Sequence, residues 1–283
     1  MLAIVESGST KADWSIIKGE NQMKFHTQGF NPFFHDENDV LFHLENHRDL
    51  KALRGEVKQI YFYGAGCSSP DLNKKILKGL STFFYEAIVE VDHDLKASAL
   101  ALYEGDPIVA CILGTGSNSC FFDGFNISEE RPALGYILGD EGSGCYFGKR
   151  LFRDLLYQKL PVELEADLVN AGFNKSMIFE AVYSGDAPNV FIASAAKYLV
   201  RHKSLEYSQK IISEGLNEFI DQHVLCYGGV EDLKVGFVGS IAKVLEDELY
   251  LACSKRNLQM GRIIQRPLDY LVEYHLKRRE TIK

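Results

Sequence analysis

The sequence predicts an α/β protein of two repeated halves, the second enlarged by helices. Three features lead to this. The first half orders its apolar runs as three strands followed by helices and strands in alternation. A short segment at Ile4 recurs at Ile112. The length, 283 residues, suits two domains of about 100–150 residues better than one core.

Residues 2–5 are apolar, residues 11–17 alternate loosely around Trp14 and Ile16, and residues 22–26 follow the turn Lys18-Gly19-Glu20-Asn21. Short runs separated by turn residues predict an antiparallel meander. Val40, Leu41, Leu44 and Leu53 recur at helical spacing. Residues 59–63 read as a strand ending in Gly64-Ala65-Gly66, and Pro70 opens a helix through Leu80 with Leu72, Ile76, Leu77 and Leu80 on one face. Residues 88–91 form another strand and 95–103 another helix. This β-β-β-α-β-α-β-α order is that of an RNase H-like half.

The pattern then restarts with an apolar strand at 108–113, the bend Gly114-Thr115-Gly116-Ser117 and a strand at 119–123. With Gly8 set on Gly116, Ile4-Val5-Glu6-Ser7-Gly8-Ser9-Thr10 aligns with Ile112-Leu113-Gly114-Thr115-Gly116-Ser117-Asn118. Strand context on both sides makes this a duplication. From Ser143 the chain reads as helices at 144–160, 162–171, 175–183, 190–202 and 207–225. A strand at 234–238, Gly239-Ser240, a helix to 253, a short strand at 262–265 and a last helix at 268–279 complete it. The expected domains are residues 1–105 and 106–267, with residues 268–283 packing back on the first.

Composition narrows the function classes. The hydrophobic fraction is 46% and the charged fraction 25%, an ordinary globular balance. No apolar run reaches the roughly 18–20 residues of a membrane helix, and the start lacks the basic and apolar regions of a signal peptide. A cytoplasmic protein with no membrane contact is expected. A net charge of -8 and no basic stripe speak against nucleic acid. The run Lys277-Arg278-Arg279 reads as cations offsetting a helix dipole. None of the 6 cysteines lies in a C-x-x-C pair; reduced, buried thiols are expected instead of disulfides, zinc or iron–sulfur ligation.

Five segments carry candidate chemistry. In Glu6-Ser7-Gly8-Ser9-Thr10-Lys11, a tight bend exposes backbone N–H groups to phosphate oxygens. Ser9 and Thr10 add hydroxyl donors, Lys11 a cation, and Glu6 a carboxylate for Mg²⁺ held through water. A plain hairpin turn is the competing account. The bend Gly114-Thr115-Gly116-Ser117-Asn118-Ser119 is richer in glycine and hydroxyls than a hairpin needs. In the stretch from Gly135 to Gly144, Asp140 either caps a helix or accepts charge-assisted bonds from sugar hydroxyls. Gly239 and Ser240, with Gly236, end a strand and open a helix where a nucleotide can approach the backbone. In Asp92-His93-Asp94, Asp94 either caps the following helix or takes the proton of an attacking hydroxyl during phosphoryl transfer. Gly64-Ala65-Gly66-Cys67-Ser68-Ser69 lacks the third glycine of a dinucleotide loop, and His35-Asp36-Glu37-Asn38-Asp39 reads as a solvated loop, not a metal site.

Taken together, Ser7-Gly8-Ser9-Thr10-Lys11, the segment from Ile112 to Asn118, Gly139-Asp140-Glu141-Gly142-Ser143 and Val238-Gly239-Ser240 resemble the BadF/BadG/BcrA/BcrD-type ATPases, and among them the N-acetylglucosamine kinases. The resemblance spans essentially the whole chain. It implies two RNase H-like domains of the actin/hexokinase/Hsp70 type with a central nucleotide cleft, ATP and Mg²⁺ as cofactors, and a small sugar as substrate. It implies Asp94 as the base, followed by Ser98-Ala99. It also implies Asn31, Gly66, Thr115, Asn118 and Asp140 as sugar contacts. Gly8, Ser9, Thr10, Lys11, Gly114, Thr115, Gly116, Ser117, Gly239 and Ser240 are its nucleotide contacts, with Glu6 at the metal. Homodimers are common in the family, and no residue pattern here demonstrates one. Ser7 stands where the family has glycine, and Leu134 stands near the place of a tryptophan beside the sugar. An ATPase that activates a reductase or dehydratase, and a non-catalytic sugar sensor, are the alternative expectations.

Overall fold

Strand β1 (Leu2–Ser7) organises the first sheet, because all of its residues but Glu6 are buried. A strand buried on both faces belongs at the centre of a sheet. The computed structural model describes residues 1–8 and 11–281 and places β1 there. It pairs antiparallel with β2 (Lys11–Lys18), which pairs antiparallel with β3 (Asn21–Gln28). On its other side β1 pairs parallel with β4 (Gln59–Gly64), and β4 pairs parallel with β5 (Ile88–His93). The outer strand β3 alternates exposed and half-buried residues, as an edge strand does.

The helical spacing at 40–53 predicts one helix; the structure has two, α1 (Glu37–Glu45) and α2 (Arg48–Leu53). Local capping breaks the run. Asp36 and Asp39 form a reciprocal capping box at the start of α1. His47 then accepts the Leu50 N–H and starts α2. Ser69 caps α3 (Pro70–Phe83), and α4 (Asp94–Leu102) closes the half. Trp14, Phe30, Phe62, Phe83 and Phe84 fill its core.

The second sheet repeats the first. It comprises β6 (Ile108–Leu113), β7 (Ser117–Phe122), β8 (Ile127–Ser128), β9 (Lys234–Val238) and β10 (Gln259–Ile264). Its order, β10-β9-β6-β7-β8, reproduces β5-β4-β1-β2-β3 strand for strand. Inserted or appended to it are α5 (Gly135–Leu138), α6 (Gly144–Leu156), α7 (Val162–Asn170), α8 (Lys175–Tyr183), α9 (Pro188–Ser194), α10 (Ala196–Arg201), α11 (Glu206–His223), α12 (Ser240–Val244) and α13 (Glu246–Ser254). Residues 1–101 with the final helix α14 (Leu268–Thr281) form one compact unit, and residues 102–266 form the other. This is the two-domain α/β architecture of RNase H-like halves, with the second half enlarged by helices.

Several predicted elements change extent for local reasons. The helix expected at 144–160 ends at Leu156, because Gln158 takes a left-handed φ of 56°. The helix expected at 190–202 breaks at Ala195, where backbone bonds tighten to three-residue spacing. The helix expected from 240 to 253 breaks at Leu245, whose φ and ψ are -112° and 28°. The strand expected at 262–265 is Gln259–Ile264, and a register shift between Met260 and Ile263 interrupts its alternation.

Helix α14 packs on β1 and β2 within its unit. His275 fastens it: its Nε2 lies 2.9 Å from the buried Tyr63 hydroxyl, and its ring stacks on Tyr61 at 3.8 Å. Tyr63→Phe removes one member of a buried polar pair and should lower the unfolding free energy by about 1–3 kcal/mol. Denaturant unfolding measures this, and an unchanged midpoint would show that the pair holds nothing.

Candidate functional site

Strands β1, β3, β4 and β5 run in one direction, so their carboxyl ends share one edge of the first sheet. Open α/β sheets bind ligands at such edges. Gly8 follows β1, Asn31 follows β3, Gly66 follows β4 and Asp94 follows β5. The structure brings Asn31 and Gly66 together: a Cβ built on Gly66 would lie 2.5 Å from the Asn31 Oδ1. That oxygen accepts the Phe33 N–H at 3.0 Å, and the Asn31 N–H reaches His35 Nδ1 at 3.2 Å. Burial, then the charges of Asp94 and Asp92, push the Cys67 thiol up to about 12.

Asp94 does not cap its helix as the sequence suggests. His93 Nδ1 accepts the Leu95 N–H at 3.1 Å, and Asp94 begins α4 with its side chain 30% exposed. The Asp94 carboxylate lies 3.0 Å from the same His93 nitrogen. At the first bend the Gly8 N–H donates to the Lys11 carbonyl at 2.9 Å. The Lys11 ammonium pairs with Asp13 at 2.7 Å, so the cation expected to point at phosphate is engaged by its neighbour on β2. Glu6 is half-buried, in register with Asp13 on β2 and Tyr63 on β4. Ser9 and Thr10 lie outside the described residues.

In the second unit the bend between β6 and β7 is fastened to α6. The Gly144 and Cys145 N–H groups donate to the Gly114 and Thr115 carbonyls at 2.8 and 2.9 Å. These first amides of the helix hold the bend and are not available to an anion. The donors left over belong to the bend: the Thr115 and Gly116 N–H groups have no partner among the described residues, and the Ser117 hydroxyl is buried without one. Two successive amides left unused, at Thr115 and Gly116, are a pattern that can take an anion. Gly239 supports the bend from β9. Its φ is 132°, and a Cβ there would lie 2.2 Å from the Leu113 carbonyl oxygen, so only glycine fits. Ser240 opens α12 and is exposed.

Asp140 is also held at this bend. Its carboxylate accepts the Ser117 N–H at 3.2 Å and sits beside Gly116. The residue is 8% exposed and left-handed, with φ 59°. Ser143, not Asp140, caps α6, accepting the Tyr146 N–H at 3.2 Å. Burial raises the Asp140 carboxyl above the ordinary value; the Ser117 N–H bond and the Lys149 charge oppose this in part. Asn118 is committed elsewhere, its amide donating to Glu129 at 3.2 Å and its Oδ1 accepting the Ser119 N–H.

The fold recurs in known proteins. A candidate N-acetylglucosamine kinase from Porphyromonas gingivalis is 35% identical over 97% of this chain and 98% of its own, with a TM-score of 0.89. The chain belongs to the N-acetylglucosamine kinase family. A candidate N-acetylglucosamine kinase from Chromobacterium violaceum shares the fold at 14% identity, covering 96% of this chain and 98% of its own, with a TM-score of 0.69. A ROK family glucokinase from Streptomyces griseus, solved with glucose and AMPPNP, shares it at 17% identity over 93% of each chain, with a TM-score of 0.52. No family model matches, and no curated protein matches. The fold is thus the two-domain actin/hexokinase type. No helix among the described residues is long and apolar enough to cross a membrane.

Asp140 has supports that no sequence motif announces. Lys149 donates to the Tyr136 and Gly139 carbonyls, and His223 reaches Glu141 from 82 residues away. No local pattern marks such contacts. Cys67, Cys111, Cys120, Cys145 and Cys253 are buried free thiols, and burial pushes each of them upward.

Because folding raises the Asp140 carboxyl, it disfavours the charged form; the penalty is absent below the unfolded value, about 3.9, and complete above the folded one. Asn at this position keeps an acceptor for the Ser117 N–H and tolerates positive φ. Asp140→Asn should therefore melt at the same temperature or higher at pH 7, with the advantage vanishing toward pH 4 or below (about the ordinary Asp value). A lower melting temperature at pH 7 would contradict the buried-charge account.

Proposed function

We propose that this chain transfers the γ-phosphoryl group of ATP to a hydroxyl of an amino sugar, the 6-hydroxyl of N-acetylglucosamine. Membership of the N-acetylglucosamine kinase family over nearly the full chain carries the reading. Within the wider superfamily, the bends at Gly8 and Gly116 and the Gly139-Asp140-Glu141-Gly142-Ser143 stretch support a place among the BadF/BadG/BcrA/BcrD-type proteins.

In this reading the sugar is held by Asn31, Gly66, Thr115, Asn118 and Asp140. Asn31 and Gly66 touch, and Asp140 is preset by the Ser117 N–H. The phosphates are held by Gly8, Ser9, Thr10, Lys11, Gly114, Thr115, Gly116 and Ser117, with the unused donors of the second bend as the support. Gly239 and Ser240 lie along the nucleoside. Asp94 takes the proton of the attacking hydroxyl as its oxygen bonds to the γ-phosphorus and the bond to ADP breaks. The Asp94 side chain beside His93 Nδ1 is 30% exposed, which leaves it open to the substrate. A divalent ion would arrive on the nucleotide's phosphates. Mg²⁺ would neutralise phosphate charge there, and Glu6 would hold it through water. A cytoplasmic location and a homodimer belong to the same reading.

Asp94→Asn should lower kcat by about 100-fold or more while ATP binding is retained. A coupled ADP-release assay over hexoses, hexosamines and muramic-acid derivatives, run beside nucleotide titration, measures both. Near-full turnover in the variant would remove Asp94 from the mechanism, and ADP release indifferent to every sugar would remove the kinase reading.

A further inference from the structure

Helix α11 ends on a histidine that no step above uses. His223 is buried, with 5% of its side chain exposed, and its ring stacks on Phe219 with centroids 5.3 Å apart. Its Nε2 lies 3.3 Å from the Glu141 Oε2, while its Nδ1 is buried with no partner among the described residues. A carboxylate only accepts, so the Nε2 must carry the proton.

The same helix end also holds β7. The His223 carbonyl accepts the Ser119 hydroxyl at 2.5 Å, and the Tyr227 hydroxyl lies 3.1 Å from that same oxygen of Ser119. Ser119 in turn donates its N–H to the Asn118 Oδ1. One residue therefore fastens two sugar candidates, Asp140 through its neighbour Glu141 and Asn118 through Ser119. Asp140 needs this help, because its left-handed backbone and buried charge both work against the observed conformation.

We infer that His223 is a positioning residue: its ring N–H clamps Glu141, and that clamp holds the Asp140 turn in the conformation that presents a carboxylate to the sugar. The inference rests on the kinase reading. It makes three demands on the chemistry. The effect falls on the sugar, not on ATP. It follows the hydrogen bond, not the bulk of the ring. And it is shared by Glu141.

Steady-state kinetics test all three. His223→Ala and Glu141→Ala should each raise KM for N-acetylglucosamine about tenfold or more, as for loss of one bond to a charged group, with KM for ATP unchanged. The double variant should be no worse than either single one, because both remove the same bond. His223→Gln, whose amide can still donate to Glu141, should recover part of the loss. If His223→Ala does not fold, Glu141→Ala alone decides, since Glu141 is the less buried partner. Sugar KM values equal to that of the unaltered protein, or equal rises for sugar and ATP, would overturn the clamp. An unaltered protein that turns over no sugar would overturn the kinase reading and this inference with it.

Discussion

The second half of the molecule turns on the stitching of the β6–β7 bend to the start of α6. Two backbone amides that normally end a helix unpaired are spent on the Gly114 and Thr115 carbonyls. Gly239 presses on the Leu113 carbonyl from β9, at a distance no side chain permits. The bend is thereby held on its carbonyl side and left with donors on the Thr115 and Gly116 amides and the Ser117 hydroxyl. A loop fixed in this way would have no reorganisation to make before taking an anion, which is the electrostatic preorganisation that the proposed transfer requires.

The same bend explains why a carboxylate is buried beside it. Asp140 would be a liability as a mere cap, because burial raises its carboxyl and its backbone is left-handed. A carboxylate so placed suits the proposed role of accepting hydroxyls of a bound sugar. The cap of α6 is supplied by Ser143, so Asp140 is released from that duty. In the first half the division is similar: His93 takes the capping bond of α4, and Asp94 is left for other work.

Much of the fold is legible in the sequence because its signals are local. The meander of β1, β2 and β3, the restart at Ile108 and the glycine-hydroxyl bends all follow from apolar runs and turn residues within a few positions. Helix ends are less legible, since Ala195 and Leu245 carry no breaker chemistry and interrupt their helices through backbone conformation alone. The engagement of Lys11 by Asp13 was within reach, because residues two apart on a strand share a face. The supports of the site were not. His223 meets Glu141 across 82 residues and Tyr63 meets His275 across 212, and a single sequence holds no local trace of either.

Movement of phosphate from nucleotide to sugar leaves its record in the reaction product. Protein, Mg·ATP and N-acetylglucosamine are incubated together and followed by phosphorus NMR with mass spectrometry of the sugar. A kinase yields a new phosphate monoester on the 6-oxygen, formed in step with ADP. Inorganic phosphate accumulating beside unmodified sugar would contradict that transfer.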